Sequence, residues 1–441
     1  MKKLIRKIKN PLTLLLFILI MPAIPIQAIV PTPAGPQEHP IAITGATIHT
    51  GNGDVIENGV ITFSDGKITS VSHADDAKSL EDYEIIAMQG KHLYPGFVLP
   101  DTSLGLVEVN SVRATLDALE TGMLNPNVRS IVAYNTDSEL IPTLRFNGVL
   151  TAQTTPLGTL VSGFSSIVKL DGWNWEDAAY AVDDGIHLYW PAMYQRRPDY
   201  TKGIMVTEKN DNYDELVATL PGLFQNASVY EGITDLNLKL GAIKKLNDGQ
   251  TKLYIHADGA REIVSAVRFA MHQKVKSIVL VGAREALNVK DFLLEHKIPV
   301  IIDRVHGLPD SEDADIDQTF KKPAQLVAAG LTVGLGASTR DAMGSRNLPF
   351  MAGTAAAYGL DKEAALTMIT RTNAEILGIA DRLGTLEPGK DATLFVSKGD
   401  ALDMRGNQLL KAYIQGRDID LNGTQQQLFE RYRKKYSSQT R

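Results

Sequence analysis

Apolar and polar positions follow two different rhythms along this chain. From residue 41 the period is two. Ile41-Ala-Ile-Thr and Ala46-Thr-Ile-His-Thr place β-branched residues on either side of Gly45. Val60-Ile-Thr-Phe-Ser and Lys67-Ile-Thr-Ser-Val repeat the pattern across Asp65-Gly66. Asn52-Gly53 and Asp65-Gly66 are tight-turn dipeptides, so the stretch reads as short strands joined by hairpins. Near the other end, Asp391-Ala-Thr-Leu-Phe-Val-Ser and Gln408-Leu-Leu-Lys-Ala-Tyr-Ile-Gln-Gly return to the same rhythm. So few short strands cannot bury enough apolar surface alone. The two groups are therefore expected to complete each other, residues 39–94 plus 385–423 forming one small composite β-sandwich.

Between 95 and 384 the rhythm changes. Leu253-Tyr-Ile-His, Ser277-Ile-Val-Leu-Val, Pro299-Val-Ile-Ile and Leu331-Thr-Val-Gly-Leu are short apolar runs. The segments between them carry helical spacing, as at Ile263, Val264, Val267 and Met271. This alternation predicts parallel β/α units whose strands are covered on both faces. About 290 residues of it is the size of a (β/α)8 TIM barrel. The fold class is thus α/β, a barrel with a composite β-sandwich. Residues 151–250 are too irregular for strand-by-strand assignment. Within them, the glycine- and hydroxyl-rich run from Thr154 to Ser166 offers backbone amides suited to cradling a carboxylate or phosphate. Residues 424–441 predict an amphipathic helix from about Thr424 to Tyr436, whose basic end (Arg431, Arg433, Lys434, Lys435) suits the helix dipole and solvent.

Composition narrows the chemistry. With 441 residues, 44% of them apolar, the chain can bury a large core. It has no cysteine, which excludes disulfides, a thiolate zinc site, a cysteine nucleophile and a lipid-modified cysteine anchor. A net charge of −6 argues against a nucleic-acid partner. Residues 1–28 read as a secretory signal peptide: five basic residues, an apolar run from Leu14 to Ile20, then Pro22, Pro25 and a small residue at Ala28. The run is short for a bilayer span, so no stable membrane insertion is expected after cleavage, and a periplasmic or secreted location follows.

Several patterns carry no specific chemistry. There is no Gly-x-Ser-x-Gly elbow and no Walker sequence, so neither a hydrolase triad of that design nor nucleotide hydrolysis is indicated. The acidic run Asp310-Ser-Glu-Asp-Ala-Asp-Ile-Asp imitates the start of a calcium loop, but Gln318 and Ala324 stand where an EF-hand needs glycine and glutamate, and the run reads as a solvated loop. The aromatic cluster Trp173, Trp175, Tyr180, Tyr189, Trp190 and Tyr194 reads either as loop packing or as an apolar ligand wall.

Three segments resemble one family. Asn373-Ala-Glu-Ile-Leu-Gly-Ile-Ala-Asp-Arg-Leu-Gly-Thr-Leu-Glu-Pro-Gly-Lys-Asp-Ala-Thr-Leu-Phe-Val resembles the closing motif of the amidohydrolase superfamily. Gly90-Lys-His-Leu-Tyr-Pro-Gly-Phe-Val is similar to its entry into barrel strand 1, and Ile255-His-Ala-Asp-Gly-Ala-Arg-Glu-Ile to strand 5 and the helix after it. The likeness is greatest to the imidazolonepropionase-like group. It implies a hydrolase acting on non-peptide carbon–nitrogen bonds of a small amide, cyclic amide or dipeptide-like substrate, a divalent metal (zinc in most members), and a possible homo-oligomer. Such a metal activates water by lowering its pKa towards neutrality.

The family's ligand pattern is largely replaced. Against its strand 1 His-x-His, this sequence has Asp101 and Ser103; against its strand 6 histidine, Gly282; against its strand 8 aspartate, Ser338, with Asp341 three residues on. Only the strand 5 histidine remains, as His256, and the strand 4 ligand cannot be placed. The resemblance and the loop positions together nominate His256 and Asp341 as catalytic, Asp101 and His256 as metal ligands, and His187, Asp258 and Arg261 as substrate contacts. A constellation of Asp101, His187, His256 and Asp341 at one barrel mouth would suit zinc, manganese or iron. If it does not form, the alternative is a catalytically inactive, metal-free ligand- or partner-binding protein.

Overall fold

The computed structural model describes residues 32–232, 236–303, 305–309, 314–337 and 340–437. The signal peptide expected over 1–28 and the strand 8 position Ser338 lie outside the described residues. Among the described residues, no helix is long and apolar enough to cross a membrane.

Five strands open the described chain: β1 (Ile41–His49), β2 (Val55–Ser64), β3 (Lys67–His73), β4 (Glu84–Ala87) and β5 (His92–Pro95). The β2–β3 hairpin turns on Asp65-Gly66, with φ of 51° and 76°. Two successive positive φ values match a turn to the right-handed twist of the strands, and an Asp-Gly pair adopts them at little cost. At Asn52-Gly53 the connection is longer, since the register closes on His49↔Val55.

The next strands line a barrel: β6 (Phe97–Thr102), β7 (Val149–Thr154), β8 (Val161–Lys169) and β9 (Ala179–Tyr189). A two-stranded arm follows, β10 (Tyr194–Asp199) paired with β11 (Ile204–Lys209). The barrel then resumes with β12 (Lys252–Ala257), β13 (Ile278–Gly282), β14 (Val300–Ile302) and β15 (Val333–Leu335). Its sheet order is β15-β14-β13-β12-β9-β8-β7-β6, parallel except for β8, which runs antiparallel to both neighbours. The glycine- and hydroxyl-rich run from Thr154 to Ser166 thus supplies the first half of a buried barrel strand. The amides of Val161 and Phe164 bond Met123 and Val128 carbonyls, so they are spent on structure and not on an anion. Across the seam between β15 and β6, the Asn373 side-chain amide donates to the carbonyls of Leu335 (2.8 Å) and Val98 (2.7 Å).

The chain then re-enters the first sheet through β16 (Leu394–Ser397), β17 (Leu409–Ile414) and β18 (Arg417–Asp418). β16 lies between β17 and β5, with Phe395 opposite Tyr94, so both ends of the chain build one eight-stranded sheet. Ile43, Ile48, Ile61, Phe63, Leu93, Leu394, Val396 and Tyr413 share its core. Helix Thr424–Ser437 buries none of its residues.

Candidate metal centre at the barrel mouth

Strand periodicity selects which side chains enter the barrel. β9 and β12 pair in parallel with His187 beside Tyr254 and Tyr189 beside His256. Alternation then sends Gly185, His187 and Tyr189 inward from one strand and Lys252, Tyr254 and His256 from the next. Their rings stack across the ladder: His187 on Tyr254 with centroids 4.7 Å apart, His256 on Tyr189 at 4.0 Å. Gly185 makes the first stack possible, because a Cβ there would fall 2.1 Å from the Tyr254 ring.

Asp101 reaches the same point from the end of β6. Its backbone adopts φ 50°, a left-handed conformation unusual for a non-glycine residue and one that concentrates at functional positions. The amide of this residue donates to Gln153 Oε1 at 3.0 Å. The three side chains form a group that could hold a cation. His187 Nδ1 lies 2.9 Å from His256 Nε2, and each nitrogen is 3.8 Å from Asp101 Oδ1. The point equidistant from the three atoms is about 2.1 Å from each, a zinc–nitrogen or zinc–oxygen bond length.

Electrostatics favours the same reading. Burial, with Arg340 adding to it, pushes His256 down to about 3, and burial together with His256 holds His187 well below the usual imidazole range. Both rings are neutral at physiological pH, the state in which imidazole ligates metals. Two imidazoles and one carboxylate leave an open position of the kind catalytic zinc sites keep for water. The residues present therefore fit a divalent ion.

Above this group opens a cavity of about 850 Å³, lined by residues from the loops after β9, β12, β13, β14 and β15. Asp101, Tyr189 and His256 form part of its floor; Asp258, Arg261, Arg284, Asp303 and Arg340 stand on its wall. Tyr194, Arg196 and Thr207 overhang it from the β10–β11 arm. Asp258 is paired with Arg284 at 2.9 Å. The carboxylates of Glu262 and Glu285 accept backbone amides from Gly259 and Ala260, so they cap the helix Ala260–His272.

The structure thus unites Asp101, His187 and His256 and sets Asp258 and Arg261 on the wall. His187 is not a substrate contact: it is fully buried and does not line the cavity. It occupies barrel strand 4, the position that motif reading leaves open. Asp341 is not part of the group. Its carboxylate turns away to accept the Gly344 amide at 2.8 Å and caps a helical turn, while its neighbour Arg340 faces the cavity. Ser103 is buried outside the group, and Gly282 ends β13 with no side chain to offer. Of the acidic run, Asp315 and Asp317 clamp Lys321 at 2.7 Å each, whereas 310–313 lie outside the described residues. Sequence reasoning missed Gln153 and Arg340. The pairing of Gly185-x-His-x-Tyr with Lys252-x-Tyr-x-His was the available signal for His187.

Comparisons with known proteins agree with this architecture. A sequence profile described as the amidohydrolase family matches residues 159–420. The structure is similar to an amidohydrolase from Thermotoga maritima MSB8, at 24% identity and a TM-score of 0.76, covering 86% of this chain and 99% of that one. It is also similar to a putative prolidase from Bifidobacterium longum (17%, TM-score 0.52, covering 87% and 95%). A third likeness is to an adenosine deaminase from Xanthomonas campestris with bound zinc (15%, TM-score 0.51, covering 92% and 100%). No curated protein matches the sequence. The chain belongs to the amidohydrolase family.

Proposed function

We propose that this chain is an exported, metal-dependent hydrolase of a non-peptide carbon–nitrogen bond in a small amide, cyclic amide or dipeptide-like substrate. The observation that carries the reading is the convergence of Asp101, His187 and His256 on one point at the floor of the cavity. These three side chains would hold the divalent ion. When bound, such an ion activates water and polarises a carbonyl. The rest falls to the chain's own groups. Tyr189 and Tyr254 brace the two imidazoles from behind by stacking. Arg196, Arg261 and Arg340 give the wall cationic groups, which favours a substrate carrying a carboxylate.

Elemental analysis of the mature chain, purified without chelators, tests the proposal. About one divalent ion per chain is expected, together with hydrolysis of at least one member of a panel of N-acyl amino acids, dipeptides and cyclic amides. His256→Ala should lose both. Less than ~0.2 ion per chain, with no gain on soaking in zinc or manganese, would leave the metal-free binding protein as the better reading. Export is tested separately by fractionating cells that express the full chain.

A further inference from the structure

One half-buried carboxylate lies outside the cavity lining and apart from the three candidate ligands, yet it is tied to the supports of two of them. Asp184, on β9, accepts three hydrogen bonds of 2.8 Å: from Ser165 Oγ at Oδ1, and from Gln153 Nε2 and Tyr254 OH at Oδ2. All three donors are fully buried. All three partners donate to this carboxyl, so Gln153 turns its NH2 towards Asp184. That fixes the other end of the amide. Gln153 Oε1 points at the Asp101 amide and holds it in its left-handed conformation. The second arm runs through Tyr254, whose hydroxyl is pinned by Asp184 while its ring lies against His187, tilted by only 10°.

We infer that Asp184 is a positioning residue for the Asp101/His187/His256 group. It sets the amide orientation of Gln153 and so the aim of Asp101, and it fixes the Tyr254 ring against which His187 rests. This deepens the metal-site reading and rests on it. The role is geometric, not one of charge. An asparagine at 184 can turn its NH2 towards Ser165 Oγ and keep its carbonyl oxygen for Gln153 and Tyr254. Alanine leaves all three donors without their shared acceptor.

The test compares the mature chain with D184A, D184N, Q153L and Y254F, using two readouts. The first is cobalt(II) affinity, followed by visible absorption. The second, taken on metal-free protein, is the imidazole 15N spectrum of His187 and His256, which reports their contact without any ion. D184A and Q153L are each expected to weaken cobalt by about 10- to 100-fold, the usual effect of removing a group that orients a ligand. D184A should also change the imidazole signals. D184N should stay within about 2-fold of the parent, and the D184A/Q153L pair should cost less than the two single effects combined. Y254F should shift His187 while leaving Asp101 aimed. Parent-like imidazole signals in D184A, or a D184N loss as large as that of D184A, overturns the inference. If the parent binds no cobalt, the metal reading falls, and the imidazole spectra still decide the positioning role. If D184A does not fold, Y254F, which removes the hydroxyl that Asp184 pins, decides: parent-like His187 signals there overturn the inference.

Discussion

At the scale of single residues, the two aspartates nominated near the site separate by what their side chains face. Asp101 is directed at two imidazole nitrogens. Asp341 spends its carboxylate on a backbone amide, as helix-capping aspartates do. Asp341→Ala is therefore expected to lower stability by about 1 kcal/mol and leave metal stoichiometry unchanged. Urea denaturation and elemental analysis check the two halves. Loss of metal on that substitution would return Asp341 to the site. Histidine burial also makes stability depend on pH. His256 stays neutral in the folded chain down to about 3, whereas the unfolded chain protonates it near the ordinary imidazole value of 6.5. Between those values the unfolded state binds more protons, so this contribution is complete above about 6.5 and is lost as pH falls towards 3. Metal-free parent protein should lose more stability between about pH 7 and pH 5 than His256→Gln does. Equal losses in urea titrations would mean that His256 ionises freely in the fold. Asp101 and His256 were legible in the sequence because the strand 1 and strand 5 motifs mark them. His187 was legible only as one member of a four-residue constellation, since a lone histidine in an apolar run carries little ligand signal until the pairing of its strand brings it near His256.

At the scale of elements, β8 shows where local propensity misleads. Glycine, serine and threonine are loop formers in isolation, yet Val161–Lys169 is a strand buried along almost its whole length. Its neighbours on both sides satisfy its backbone, and that outweighs the weak intrinsic preference of its residues. The alternation from 253 onward was legible because its strands are compact apolar runs and the first is followed by a helix, Ala260–His272, with a clear apolar face. The barrel seam is closed by a side chain. Asn373 sits in a motif that reads simply as the last barrel helix, but its amide spans β15 and β6. Asn373→Ala strands two buried carbonyls, each costing about 1–3 kcal/mol, so a loss of several kcal/mol is expected. A midpoint in urea within error of the parent would show that the seam closes without it.

At the scale of the whole molecule, the first sheet cannot be finished until the last strands arrive. β1 to β5 contribute one part of its core, and Leu386, Ala392, Leu394, Val396 and Tyr413 contribute the rest, more than 290 residues later in the chain. Asp391 secures the junction, accepting from Lys67, Tyr180, Arg382 and Gln415 while itself only 3% exposed. The sequence disclosed this closure through matching strand rhythms at its two ends, but the junction depends on long-range pairs that no local pattern records. Two truncations separate the contributions. Ending the chain after Lys390 removes Asp391 and β16, exposes the backbone of β5 and opens the core around Ile48 and Leu93. That chain is expected to be insoluble or to lack a cooperative thermal transition. Ending it after Gly423 removes residues 424–441, including the helix Thr424–Ser437, which buries no residue and is held at its start by Thr424 Oγ1 on Glu139. Its melting temperature should stay within about 2 °C of the parent, since surface elements without buried contacts contribute little to global stability. A cooperative, parent-like melt for the shorter chain would show that the barrel folds independently of the sheet it shares with both ends.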